Sequence, residues 1–251
     1  MYETYAALQR PSNSRQYLWR YYPFERLRDL IQSAELFFTH VPAFTDKLEG
    51  ALTTKSRERL FRWFIMHGST PATASKEVVQ YEQLREGFYA SCWHMSNHES
   101  YLMWRAYADR GFAVRTTFER VQASFEPFPG VISGGVVNYV NFERDDTELG
   151  NAFTHVTTKD LPYRDEREFR LFFWKPDPRN GSHEPLKKGV RIPVDLRFLV
   201  ERVFISPFVG QPPPEVRDLL LHSGIEWTSS SISVRSDKDS NALQKSRHAA
   251  A

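Results

Sequence analysis

The sequence predicts a single α+β domain with a mostly antiparallel central sheet flanked by helices. Apolar alternation of period two recurs in short runs such as YLWRYY, FAVRTTF and REFRLFF, as half-buried strands require. Helical runs fall between them without a regular βαβ alternation, which favours α+β over a doubly wound sheet. Neither G-x-G-x-x-G nor G-x-x-x-x-G-K occurs, so nucleotide folds of the Rossmann and P-loop kinds lose support.

Residues 1–16 are polar and read as an N-terminal arm. YLWRYY (17–22) is the first strand. Pro23 opens a helix, because its fixed φ suits a first helical turn, and Phe24, Leu27, Leu30 and Ile31 follow at helical spacing. ELFFTH (35–40) is a second strand and residues 42–54 a loop. Residues 55–67 and 74–87 have the spacing of two amphipathic helices, the first with a solvated basic face. GFYASCWHM (87–95) is a strand, and residues 100–109 form a short helix that stops near Gly111. FAVRTTF (112–118), GGVVNYVNF (134–142) and REFRLFFWK (167–175) are strands. VRIPVDL and LVERVFIS follow, then a helix at 215–224 and a last strand, SISVRS (231–236). The domain thus spans 17–236, and residues 237–251 form a flexible polar tail.

Composition narrows the partners. The 33 Lys and Arg against 31 Asp and Glu give a net charge of +2, which argues for neither nucleic acid nor an anionic membrane. The single cysteine, Cys92, excludes an intramolecular disulfide and suits a reducing cytoplasm. No apolar run approaches the roughly 20 residues that span a bilayer, and the first residues lack the basic start and apolar centre of a signal peptide. A cytoplasmic protein without a membrane partner is expected. Aromatic residues make up 14% of the chain, enough to fill a core and also line a pocket for flat ligands.

YRDEREFRLFFW (163–174) is the stretch that asks for a function. In a strand of period two, Glu166, Glu168 and Arg170 point to one face and Arg167, Phe169 and Leu171 to the other. A same-face ion pair at a sheet margin would explain the pattern at about 0–1 kcal/mol; a polar cleft would explain it as a site. Other candidates are weaker. His94 and His98 are four apart but have no third ligand nearby, so no metal is expected. Cys92 has no C-x-x-C partner and reads as a small buried hydrophobe. Trp104 and Tyr107 share a helix face, a spacing more common in cores than in ligand platforms.

The order LWRYYPFERLRDLIQSAELFFTHVPAFTDKLEG, SCWHM, LMWRAYADRGFAV, VVNYV and YRDEREFRLFFW resembles an uncharacterised bacterial family, domain of unknown function 2971, over residues 17–236. The chain departs from its pattern at Thr45 and Lys47, where Asn and Pro are usual around Asp46, and at His94, where a serine is usual. A second likeness is to small ADP-ribosyltransferases, which open with a strand carrying Arg or His and end with a glutamate at the start of a late strand. Arg20 in LWRYY and Glu168 in REFRLFF occupy those positions.

That second resemblance implies an enzyme that cleaves NAD as a substrate and transfers ADP-ribose to an acceptor, protein or nucleic acid, in a toxin or defence setting. Glu168, with Glu166, would stabilise the oxocarbenium-like centre, and Arg20 would clamp the pyrophosphate. Tyr22, Trp104 or Tyr107 would stack on nicotinamide, with Asp46 and Arg170 completing the substrate contacts. These residues are expected in one cleft, Arg20 and Glu168 on the same face of the sheet. The rival readings are a nuclease with Mg²⁺ on Asp46, Glu49, Glu166 and Glu168 and with Lys47 or Lys159 near the phosphate, and a module that binds a nucleotide or nucleic acid without turnover.

Overall fold

The computed structural model describes residues 1–46, 48–175, 188–209 and 211–232. Its strands, in chain order, are β1 (Tyr17–Tyr22), β2 (Glu35–His40), β3 (Phe88–Met95), β4 (Phe112–Thr117), β5 (Ser133–Val136), β6 (Asn138–Val140), β7 (Thr158–Asp160), β8 (Glu168–Trp174), β9 (Gly189–Pro193), β10 (Arg202–Ile205) and β11 (Trp227–Ser229). Nine of them form one sheet, while β6 and β7 pair as a separate ribbon. Among the described strands, β10–β11 and β6–β7 pair in parallel and the other pairings are antiparallel. With the helices, this is the expected α+β architecture. No helix among the described residues is long and apolar enough to cross a membrane.

Helices cover both faces because alternate strand residues are apolar on both. Helix α1 (Phe24–Ser33) starts at Pro23 and buries Leu27, Leu30 and Ile31. These pack with Leu18, Leu36, Phe38, Trp93, Val114, Phe169 and Leu171, each such side chain contributing about 1.5–3 kcal/mol. The helix ends at Ala34 in the left-handed region, whose N–H caps the Leu30 carbonyl. α2 (Thr54–Met66) and α3 (Pro71–Glu82) pack on each other through Leu60 and Val78. On the opposite face of the sheet, α4 (Tyr101–Tyr107) lays Trp104 against Trp19, Tyr21, Ala113 and Phe204.

Several boundaries differ from the sequence reading. The run 134–142 is broken into β5 and β6, which belong to different sheets. The last described strand is β11 at Trp227–Ser229; Ser231 and Ile232 are not in a strand, and the rest of the SISVRS run and the 237–251 tail lie outside the described residues. The N-terminal residues are docked rather than held out as an arm. The Met1 ammonium donates to the Phe128 and Gly130 carbonyls, Tyr2 bridges Ile132, and Leu8 is only 5% exposed, packed with Phe88, Ala90 and Phe172. An apolar surface on β3 and β8 needs that cover.

Gly111 fixes how β4 meets β1. A Cβ there would stand 2.1 Å from the Tyr22 carbonyl oxygen, and that neighbour is backbone in a paired strand. Gly111→Ala is therefore expected to destabilise by about 1–3 kcal/mol, as overpacking does, with a lower urea midpoint at unchanged m-value as the check.

Candidate functional site

A cleft of about 520 Å³ opens where β1 and β2 part, within the usual size range of small-molecule sites. β3 is the cause. One of its edges pairs with β8 all the way from Phe88 to His94. On the other edge β1 reaches it only at Leu18 and Trp19, and β2 only at Thr39 and His40. Between those two short pairings the sheet is open, and Ala90, Cys92 and Trp93 border the cleft.

Arg20 sits at this fork. Its Nη1 donates to Ser91 Oγ and its Nη2 to the Phe37 carbonyl at 3.2 Å. The guanidinium lies 5.1 Å from the Tyr22 ring centroid and 5.8 Å from that of Trp93. Among the described residues its polar contacts are a hydroxyl and a carbonyl, so its charge is not neutralised by a carboxylate.

A buried charge cluster forms the other end. Arg170 is 0% exposed and all its donors are used. Nη1 and Nη2 fork onto the Glu49 carboxylate at 2.8 and 2.9 Å. Nε and Nη2 reach Glu168 at 2.7 and 3.2 Å, and Nη1 also meets the Val156 carbonyl at 3.2 Å. Lys159 Nζ lies 2.6 Å from Glu168, 2.5 Å from Glu166 and 3.3 Å from Glu49. Tyr107 donates its hydroxyl to Glu166 at 2.8 Å, and the Tyr139 hydroxyl accepts the Glu168 N–H at 2.8 Å. Three carboxylates face two cations, which leaves one net negative charge.

That charge is unevenly shared. Burial alone would push Glu168 up, but Arg170, by charge and hydrogen bonding, and then Lys159 hold it well below the usual carboxylate range. Glu166 is pushed up, by burial first and then by the adjacent Glu168 carboxylate, against the pull of Lys159. Displacements of opposite sign on adjacent carboxyls are the pattern by which acid and base roles can be divided. Burial and the neighbouring Glu168 charge push the Cys92 thiol up, which keeps it protonated and a poor nucleophile. His94 is held down by burial, so its neutral ring donates Nδ1–H to the Glu166 carbonyl at 2.6 Å. It belongs to β3, within the strand expected over 87–95.

Of the residues singled out from the sequence, Arg20, Tyr22, Asp46, Tyr107, Glu166 and Glu168 line this cleft; Trp104 and Arg170 do not. Trp104, 0% exposed, packs edge-on to Tyr21 at 4.9 Å and donates Nε1–H to Glu99. Its helix face turns to the sheet, and Tyr107 is the member of that pair which reaches the site. Arg170 lies beneath Glu49 and Glu168 and acts through them. Asp46 spends Oδ1 on the Leu48 N–H at 2.9 Å, and its buried Oδ2 has no partner among the described residues.

The expectation that Arg20 and Glu168 share a face fails. Trp19 pairs with His94 and His94 with Glu168, so those three point the same way and Arg20, one residue on, points the other. They reach one cleft only because it passes through the opening between β1 and β2. Glu166 is not in the strand either. It ends a 3₁₀ turn (Leu161–Glu166), and Arg167 in the left-handed region swings the chain into β8.

Glu49 and Lys159 stood out in the sequence only under the nuclease reading, and Arg26, which also lines the cleft, not at all. No protein-family model, curated protein or solved structure matches the chain.

Proposed function

We propose that the cleft cleaves the nicotinamide–ribose bond of NAD and transfers ADP-ribose to an acceptor nucleophile. The observation that carries this reading is the Glu166–Glu168 pair lining one cleft, both held by Lys159 at 2.5 and 2.6 Å and Glu168 also by Arg170 at 2.7 Å, with Glu166 pushed up and Glu168 pushed down. As the C1′–N bond breaks, its electron pair stays with the ring and nicotinamide leaves neutral, so positive charge gathers at the ribose carbon. Glu168, held ionised by Arg170 and Lys159, stabilises that charge. Glu166 then accepts the proton of the acceptor as the new bond to C1′ forms. Arg20 meets the diphosphate, and Tyr107, 49% exposed at the rim, offers its ring to nicotinamide. Tyr22 loses that stacking role, because Arg20 already lies across its ring.

The nuclease reading fares less well on this geometry. Glu49, Glu166 and Glu168 do meet, but their oxygens are turned onto Lys159 and Arg170. A divalent ion on the cluster would have to displace two buried cations.

The test is incubation with NAD⁺ and cell lysate, following nicotinamide release and a labelled acceptor across pH. As a base, Glu166 works deprotonated, and its pKa is raised above the ordinary 4.5. The rate is therefore expected to fall on acidification through a limb lying above the ordinary glutamate range. Glu166→Gln should erase the limb and leave a low, flat profile. Wild-type protein that releases no nicotinamide at any pH ends this reading.

A further inference from the structure

The junction of β1 with α1 holds features that the carboxylate chemistry does not use. Tyr22 is 7% exposed and lines the cleft, yet its hydroxyl has no hydrogen-bond partner among the described residues, an omission that is costly in a buried donor. Burial pushes its pKa up while Arg20 and Arg26, both near, pull it back, so it remains a neutral donor between two cations. Arg26 lines the cleft with its guanidinium 5.1 Å from the ring centroid of Phe37, the residue whose carbonyl Arg20 contacts. Pro23 lines it too, at the N-terminus of a ten-residue helix that no side chain caps. Glu25, the acidic residue of that first turn, is exposed and not part of the lining. Of the carboxylates Asp29 and Glu35, which line this end, Asp29 is paired with Arg191 at 2.6 Å, which leaves one negative charge against Arg20 and Arg26.

Two guanidiniums, a helix N-terminus and an orphaned hydroxyl donor converge on a single kind of ligand, an anion with several acceptor oxygens. We infer that this end of the cleft binds the diphosphate of a nucleotide, with the Tyr22 hydroxyl, Arg26 and the start of α1 joining Arg20. The assignment rests on the cleft being the substrate site proposed above, and it adds the group that anchors the substrate. Tyr22 thereby changes role from stacking ring to hydrogen-bond donor. Arg20 lies 5.1 Å from the Tyr22 ring centroid, so one anion can meet both side chains. The diphosphate then sits on the far side of the sheet opening from Glu166 and Glu168, and the ribose passes through the gap.

Calorimetry on the full chain tests this with inorganic pyrophosphate and with ADP-ribose. Pyrophosphate is expected to bind wild-type protein, more weakly as salt rises, and ADP-ribose to bind more tightly. Tyr22→Phe should weaken both by about tenfold, as loss of a hydrogen bond to a charged group does. Arg26→Ala, at an exposed side chain, should weaken both by about threefold to fivefold at low salt. Because the hydroxyl has no partner among the described residues, Tyr22→Phe should melt no lower than wild type. A melting drop of several degrees with unchanged pyrophosphate binding would make the hydroxyl a structural group and overturn the site; so would wild-type protein that takes up no pyrophosphate, or ADP-ribose that binds no better. The two proposals separate in the readout. Tyr22-dependent pyrophosphate binding without nicotinamide release leaves the anion site standing and removes the transferase. Nicotinamide release whose KM for NAD is untouched by Tyr22→Phe does the reverse.

Discussion

Arg170→Met is expected to lower stability by about 3–5 kcal/mol, the usual consequence of stripping one partner from a buried ion pair. In a chain of this length that is a fall in melting temperature of about 6–20 °C. The cause is what stays behind. Glu49 and Glu168 have side chains 2% and 5% exposed, and the variant leaves them with Lys159 alone, three carboxylates to one cation. A second change should restore part of the loss. In Arg170→Met with Glu49→Leu, two carboxylates face one cation, the same net charge as in the wild type, and two apolar groups fill the space. The pH dependence adds an independent check. In the wild type Glu168 is depressed below its ordinary 4.5, so its contribution is present above that pH and lost as pH falls through the folded value. Without Arg170 burial pushes it the other way, and its contribution is present at low pH and lost as pH rises. The gap between the two proteins should therefore be wide at pH 7 and narrower near pH 5. A methionine variant that melts with the wild type would show that the cluster contributes nothing to the fold.

The same cluster shows what could be read in the chain and what could not. Alternation in YLWRYY, FAVRTTF and REFRLFF gives strands because its period is local, and the spacing of Leu27, Leu30 and Ile31 gives α1 for the same reason. Placing Glu168 and Arg170 together on one face of β8 is also a local inference, and it holds. The partner of Arg170 is not local. Glu49 lies 121 residues away in a loop, and no pattern around Asp46–Gly50 reports the contact. The relative face of Arg20 and Glu168 depends on how β1 registers against β3 and β3 against β8, and a shift of one residue in either would reverse it. The opening between β1 and β2 depends on where their pairing with β3 stops, which their own sequences leave undetermined. Trp104 and Tyr107, three apart on one short helix, went to a core and a site respectively because that helix sits at the end of the cleft.

Glu168→Gln is expected to lower the rate of nicotinamide release by about 10²–10³-fold, the typical loss when one preorganised partner of a developing charge is removed. From sequence the change looks silent for folding, since it is nearly isosteric. The structure says otherwise. One carboxylate oxygen of Glu168 accepts from Lys159 and Arg170 Nη2, the other from Arg170 Nε. An amide can place its oxygen at only one of those positions, and its NH₂ group must then meet an N–H donor. That conflict should take away about 1–3 kcal/mol of stability, so the rate must be measured well below the melting temperature of the variant. The kinetic signature separates the two effects. A group that acts on charge at C1′ is felt in the transition state, so kcat should fall while KM for NAD changes little. A group that merely holds the cleft in shape would raise KM and lose the tenfold contribution of Tyr22 to pyrophosphate binding as well. Glu168→Gln protein that binds pyrophosphate like the wild type and still releases nicotinamide at the full rate would take Glu168 out of the chemistry and leave it as the counter-ion of Arg170.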